Sequence, residues 1–293
     1  MLDTLVLSGG AYHGGVKMVG LIKKLLDDKL ITMNTIKNVY GISAGALVAS
    51  MFMTLVEPDE ILDYVMNRPW GNLVDVTPDM MFGIYKNKGM FNKNIASEIL
   101  RPLLGSKGLS CDITMKEFYE YNSITFKIYT FDLNSNTIVE LSHNTYPDYK
   151  LIDCLYYSTS IPVVFEPSIV GEKCYIDPGC IINYPLKFAI ADKINKDNML
   201  CIKCTFEEKV ESVVVDDETN LMDFTFQIFK RVLYDKMTYE KVDNEIYVEM
   251  ELFSVITLIQ TFRDKSLRMK YLDDGFNIGD KFINTHSHLH RSL

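Results

Sequence analysis

Along this chain short unbroken apolar runs alternate with longer stretches whose apolar residues recur every three or four positions. TLVL, ahead of Ser8-Gly9-Gly10, has the continuity of a buried strand, and Val16, Val19, Ile22, Leu25 and Leu26 then repeat at helical spacing. IKNVYG reads as a second strand and SAGALVASMFMTLV as a second helix, while Pro58 followed by Asp59 and Glu60 opens a short third helix. This order of strand, helix, strand, helix predicts parallel strands joined by right-handed crossovers. Further on, KNIASEILRPLLG is helical, ITFKIYTFDL and TIVELS alternate as strands about the turn-prone NSN, and YKLIDCLYYSTS is a helix ending before Pro162. VVFEP and KCYIDPG are short strand-like pieces, and MLCIKCTF is expected to be the last strand.

Two regions break the rhythm. Residues 67–92 show no clean period and hold Pro69, Gly71, Pro78, Gly83 and Gly89, which predicts a long irregular excursion. Trp70, Met80, Met81, Phe82, Met90 and Phe91 make it a candidate lid or access surface, or else core. Residues 218–237 carry Leu221, Phe224, Ile228, Val232 and Leu233 on one helical face. VEMELFSVITLIQTF is expected to be buried against the fold, with bilayer docking as the alternative, and the polar tail from about residue 284 to be mobile.

The 293 residues are 47% hydrophobic and 24% charged, as in an ordinary soluble globular protein. The net charge of −9 disfavours nucleic acid as a partner, because phosphate binding needs a basic surface. No apolar run approaches the ~20 residues of a membrane span. MLDTLVLSGG lacks the basic flank of a signal peptide and reads as a strand. The six cysteines are scattered, which argues against a disulfide scaffold. These features together predict an intracellular, cytoplasmic protein, with peripheral membrane association where a local apolar or basic face allows it. Cys201 and Cys204 in CIKC have redox or zinc spacing, but on a strand they point to opposite faces.

Gly41-Ile42-Ser43-Ala44-Gly45 fits G-x-S-x-G at a strand-to-helix junction. A serine on that turn is exposed as a nucleophile, small neighbours let the chain cross closely, and the following helix favours negative charge there. Such a serine needs oxyanion donors and a base. Ser8 to Gly15, SGGAYHGG, supplies backbone N–H groups after the neighbouring strand. It fits neither a P-loop nor a dinucleotide loop, since Val16 precedes Lys17 and Ala11 stands where a second glycine would be needed. For the base, His13 lies in the glycine loop, His143 in a polar turn, and His286, His288 and His290 in the tail, so a histidine triad has no good candidate. Asp177, on a tight turn in YIDPGCIINYP, is the carboxylate alternative.

Together these pieces resemble the patatin-like phospholipases. The resemblance rests on the loop Gly9-Gly10-Ala11-Tyr12-His13-Gly14, the elbow Gly41 to Gly45, and Asp177-Pro178-Gly179. YYSTSIPVVFEP, DPGCIINYPL and GMFNKNIASEILRPLL are similar to the family's connecting segments, and the likeness runs over residues 4 to 205. It implies a three-layer α/β/α sandwich about a mostly parallel sheet, with residues 1–210 as the catalytic domain and 211–293 as a helical extension packed on it. It also implies a Ser–Asp dyad of Ser43 and Asp177, an oxyanion hole from Gly9, Gly10 and Ala11, and supporting roles for Gly14, Gly41, Gly45 and Gly179.

The implied activity is acyl-ester hydrolysis of phospholipids or related lipids through an acyl-enzyme, with no metal or cofactor and with transient membrane-surface contact. Three positions depart from the family pattern. Ala11 replaces a glycine and keeps its N–H in the hole if its φ is negative. His13 replaces a basic residue, and Pro178 removes an N–H beside the aspartate. The departures motivate an alternative, a lipid-binding or interaction protein that keeps the fold with weakened catalysis. An α/β-hydrolase with a histidine triad is disfavoured, because only one strand precedes that of the elbow.

Overall fold

The computed structural model describes residues 2–75, 78–206, 240–251 and 254–286, with 215–217, 219 and 224, and only the backbone of 78–82 and 206. Strand β1 (Thr4–Leu7) is buried along its whole length, as expected of a parallel strand covered on both faces. Helix α1 (Ala11–Asp27) returns the chain to β2 (Asn38–Ile42), which pairs parallel with β1 and leads through Ser43 into α2 (Ala44–Met53). Helix α3 (Pro58–Asn67) starts with proline at its first position and Asp59 and Glu60 in its first turn, where a missing N–H and negative charge suit a helix N-terminus.

The excursion after it is more regular than its sequence suggests. A 3-10 turn (Trp70–Leu73), helix α4 (Pro78–Asn87) and strand β3 (Gly89–Phe91) occupy it. Pro78, a breaker in the middle of a helix, here sits at the helix start, where it is tolerated. Trp70, Met90 and Phe91 are buried, whereas the side chains of Met80, Met81 and Phe82 lie outside the described residues. Helices α5 (Asn94–Ser106) and α6 (Met115–Asn122) lead to β4 (Thr125–Asp132), which pairs antiparallel with β5 (Thr137–Leu141) across the turn-prone NSN. After α7 (Leu151–Thr159), β6 (Val163–Phe165) pairs with β3 apart from the main sheet, and β7 (Ser168–Val170) and β8 (Lys173–Ile176) form its antiparallel end.

Helix α8 (Leu186–Ala191) and strand β9 (Met199–Phe206) follow. MLCIKCTF is not the last strand. β10 (Glu245–Met250) pairs parallel with β9, and its alternation of buried Ile246, Val248 and Met250 with exposed Tyr247 and Glu249 marks a strand covered on one face only. The apolar run from Val248 to Phe262 is thus divided between the end of β10 and helix α9 (Val255–Arg263), and α10 (Lys265–Thr285) follows. The helix expected over 218–237 and the tail beyond residue 286 lie outside the described residues, apart from Thr219 and Phe224.

The sheet order is β10-β9-β1-β2-β4-β8-β7, with β5 also on β4, and the first five strands run parallel. This mostly parallel mixed sheet is flanked by helices. On one face Leu5, Leu7, Val39, Ile202 and Cys204 join the large core under α1, α2 and α5. On the other, Val6, Tyr40, Ile42 and Cys201 meet Leu186 and Ala189 of α8. Cys201 and Cys204 accordingly occupy opposite faces. Helix α10 lies against α1 so closely that a Cβ at Gly275 would fall 2.0 Å from the Lys17 carbonyl oxygen. β1 and β2 are neighbours, so the loops leaving their C-terminal ends come side by side. That places the glycine loop next to Ser43.

Candidate active site

Ser43 takes φ 49° and ψ −124° between β2 and α2. This is a backbone state that costs a non-glycine residue ~1–3 kcal/mol and persists only where its surroundings hold it. Two glycines make the turn possible. A Cβ at Gly45 would lie 2.4 Å from the Ser8 carbonyl oxygen, and one at Gly41 would lie 2.7 Å from Ala46 Cα. The Ser43 N–H donates to Ser158 Oγ on α7 at 2.8 Å, which ties the elbow to the helix across from it.

The hydroxyl of Ser43 donates to Asp177 Oδ2 at 2.5 Å, and both residues are buried. Asp177 follows β8 directly. Its N–H donates to the Ser160 carbonyl at 2.9 Å, and its Oδ1 accepts the Gly179 N–H at 2.7 Å. Pro178 therefore removes no bond from the carboxylate: the residue after it supplies the donor, and the proline opens the 3-10 turn Pro178–Cys180. Burial pushes the Asp177 carboxyl from 3.8 up to about 7, against the opposing pull of the Ser43 and Gly179 hydrogen bonds.

The glycine loop lies against this pair, and a Cβ at Gly9 would be 3.4 Å from Ser43 Cβ. Gly9 departs from its expected role as a free donor. Its N–H goes to the Asn183 carbonyl at 2.9 Å, while Asn183 Nδ2 donates back to the Gly9 carbonyl at 2.9 Å. No hydrogen bond among the described residues engages the N–H of Gly10 or Ala11, which open α1. Ala11 has φ +47°, in the region that favours glycine, so the negative φ on which its place in the hole depended is not what the backbone adopts.

His13 turns away from the site. It is buried near Tyr271, with ring centroids 6.0 Å apart, and burial pushes it down to about 4, so it is neutral at pH 7. His143 stacks on Tyr119 and His286 on Phe282, and no described histidine hydrogen-bonds Ser43 or Asp177. Beside Ser43 opens a cavity of about 90 Å³ whose walls are mainly apolar, among them Leu47, Val48, Trp70, Ile99 and Phe262. Trp70, offered by the sequence as lid, access surface or core, is buried in the core and lines this cavity.

A family model described as patatin-like phospholipase matches residues 5–190. The chain belongs to the patatin-like phospholipase family. It is 29% identical over 189 residues to a protein described as "Probable lipid hydrolase 463L" of Invertebrate iridescent virus 6, covering 64% of this chain and 63% of that one. It is 25% identical over 185 residues to "Uncharacterized protein R571" of Acanthamoeba polyphaga mimivirus, covering 63% and 60%. The match thus spans less than two thirds of either relative. The fold is similar to that of VipD from Legionella pneumophila, with a TM-score of 0.57, 16% identity, and coverage of 97% of this chain and 67% of that one.

Three residues of this patatin-like phospholipase escaped the sequence reading although they hold the site together. Ser158 and Ser160 secure the backbones of Ser43 and Asp177, and Asn183 anchors the glycine loop. All three lie in the segments flanking the aspartate whose likeness to the family was noted, but nothing in their spacing announces a hydrogen bond to a distant turn. Ser158→Ala would leave the buried Ser43 N–H without its acceptor. We expect a stability loss of about 1–3 kcal/mol, read as a lower urea midpoint at unchanged slope. An unchanged midpoint would show that the elbow does not depend on that bond.

Proposed function

We propose that this patatin-like phospholipase hydrolyses carboxylic esters of phospholipids or related acyl lipids, with Ser43 as nucleophile and Asp177 as general base. The observation that carries the reading is the 2.5 Å hydrogen bond from Ser43 Oγ to a carboxylate held near neutrality by burial, at the mouth of an apolar cavity.

In the ionised enzyme Asp177 takes the hydroxyl proton as Ser43 Oγ bonds to the ester carbonyl carbon. The carbonyl π electrons move to oxygen, and the unengaged N–H of Gly10 receives that oxyanion, aided by the N-terminus of α2. Collapse expels the alcohol, which takes the proton from Asp177, and leaves an acyl group on Ser43. Water then attacks that acyl carbon while Asp177 accepts its proton. The second tetrahedral adduct releases the fatty acid and returns the proton to Ser43. A carboxylate at its ordinary ~3.9 would be a feeble base at neutral pH, which gives the burial of Asp177 its purpose. An acyl-lipid substrate brings the enzyme into transient contact with a membrane surface; among the described residues no helix is long and apolar enough to cross one.

A fluorophosphonate probe tests the assignment. Its phosphorus accepts a serine oxygen and loses fluoride, and we expect stoichiometric labelling that maps to Ser43. The rival reading, a lipid binder without turnover, draws on Ala11 in its left-handed conformation and predicts vesicle binding without labelling. That result would overturn the hydrolase.

A further inference from the structure

The end of the sheet that carries Ser43 also carries a tip with two unlike faces. The register of β2 with β4 sets Ile42 beside Tyr129, and that of β4 with β8 sets Phe131 beside Ile176. Ser43, Thr130 and Asp177 therefore lie level, and Leu133 stands three residues further out, about 10 Å at ~3.3 Å per residue. The Leu133 N–H donates to the Cys174 carbonyl at 2.8 Å, and Cys174 opposes Ile169 on β7. Residues directly opposed across strands share a face, so Leu133, Cys174 and Ile169 form one apolar row. Leu133 is 54% exposed and Ile169 64%, so both project from the fold. Lys88, exposed just after α4, lies beside the row, and its charge acts on the Cys174 thiol.

Strand alternation turns Lys173 and Tyr175 to the other face of the tip. There Lys173 Nζ donates to the Tyr146 hydroxyl at 2.9 Å and stands 5.1 Å and 5.9 Å from the ring centroids of Tyr146 and Tyr175. Among the described residues no carboxylate pairs with this half-buried ammonium, whose electrostatic neighbours are those two tyrosines. The Tyr175 hydroxyl is buried and makes no hydrogen bond. Tyr149 and Tyr157 extend the cluster, with ring centroids 4.7 Å from Tyr146 and 4.9 Å from Tyr175 respectively, and both are half-buried. An ammonium without a carboxylate and a phenol hydroxyl without an acceptor both suit an anion, while tyrosine faces attract a quaternary ammonium. Phosphocholine holds those two charges side by side. It adds no net charge, whereas Glu172, exposed at the turn between β7 and β8, and the chain's net −9 oppose an anionic surface.

We infer that this tip docks the protein on a choline-phospholipid surface. Lys173, Tyr146 and Tyr175 take a head-group phosphate, Tyr149 and Tyr157 take its trimethylammonium, and Leu133 and Ile169 enter the acyl layer. Apolar faces of interfacial elements sink ~5–10 Å into the boundary of head groups and acyl chains. A tip projecting about 10 Å then brings the level of Ser43 to the head groups. The docking draws its purpose from the hydrolase reading, but its first test uses no turnover.

The full chain is floated with vesicles of ether-linked phosphatidylcholine, which has no ester to cleave. Saturable binding is expected, weakened roughly 10-fold by Leu133→Ser and by Ile169→Ser as each apolar side chain is lost. Lys173→Gln should weaken it by a similar factor, roughly 10-fold, and Lys173→Arg should restore most of it. Tyr247→Ser, on the exposed face of β10 at the other edge of the sheet, should leave it unchanged. Urea midpoints confirm that each variant folds, and if Lys173→Gln does not, the Leu133 and Ile169 variants still decide. Any of four results overturns the inference: no binding by the wild type, binding indifferent to these substitutions, tighter binding to phosphatidylserine vesicles, or capture of free phosphocholine without vesicles. Turnover of soluble p-nitrophenyl butyrate judges the other reading separately. Docking without turnover would sink the hydrolase alone, and turnover without docking would sink this surface alone.

Discussion

Ser43→Ala is expected to lower kcat on a soluble short-chain ester by at least about 10⁴-fold, toward the uncatalysed background, because comparable acyl-transfer sites lose up to ~10⁶ with their nucleophile. The protein should remain folded. The Ser43 hydroxyl makes a hydrogen bond to Asp177, whereas the elbow itself is held by the backbone N–H to Ser158 and by the close crossings at Gly41 and Gly45, none of which uses Oγ. Alanine tolerates φ 49° no worse than serine does. The carboxylate keeps its Gly179 donor and loses the other, so its pKa climbs further. Steady-state kinetics beside a urea titration separate the two effects: activity gone with the midpoint nearly in place is the expected pair. Turnover within tenfold of the wild type would assign the nucleophile to another group.

How much of this was legible depends on how local each feature is. The elbow could be read because strand, Gly-x-Ser-x-Gly and helix follow one another within a few residues, and sterics alone demand small neighbours there. The parallel core was legible for the same reason, each strand–helix pair carrying its own period. Asp177, 134 residues from Ser43, could be offered as a carboxylate base once the histidines had no good candidate. Its pairing with Ser43 as a dyad came through the resemblance, since no spacing rule links two turns at the ends of different strands. Ser158 and Asn183 illustrate the limit. Their side chains act on backbone groups of distant loops, a role that any buried polar residue fills equally well from the sequence's point of view. β10 was overlooked because half of its residues face outward and its partner β9 lies far off in the chain. Gly9 shows the opposite failure: its motif position was read correctly as part of the loop, but its N–H is spent on structure.

Asp177→Asn should remove most activity and yet strengthen the fold, increasingly so as pH rises. The folded-state pKa of Asp177 stands at about 7 against an ordinary 3.8, raised by burial, so the folded form binds the proton more tightly than the unfolded chain does. The favourable contribution of the protonated carboxyl is fully present below about pH 4 and is lost as pH rises through about 7. Above that, folding must bury an ionised carboxylate, which costs about 4 kcal/mol in order of magnitude. Asparagine carries no charge, keeps an oxygen for the Gly179 N–H, and offers an N–H to Ser43 Oγ. The variant should therefore unfold at higher urea than the wild type near pH 9, by up to about 4 kcal/mol, with the gap closing toward pH 4. Its turnover should fall by ~10²–10⁴-fold, the usual yield of a positioned base. The wild-type rate should rise with pH through about 7 as the base ionises. A stability gap that is flat across pH, or that widens toward acid, would mean that Asp177 is already ionised at low pH in the folded protein. The carboxylate would then owe its place to hydrogen bonding alone, and a buried, poised base could not be what drives the serine.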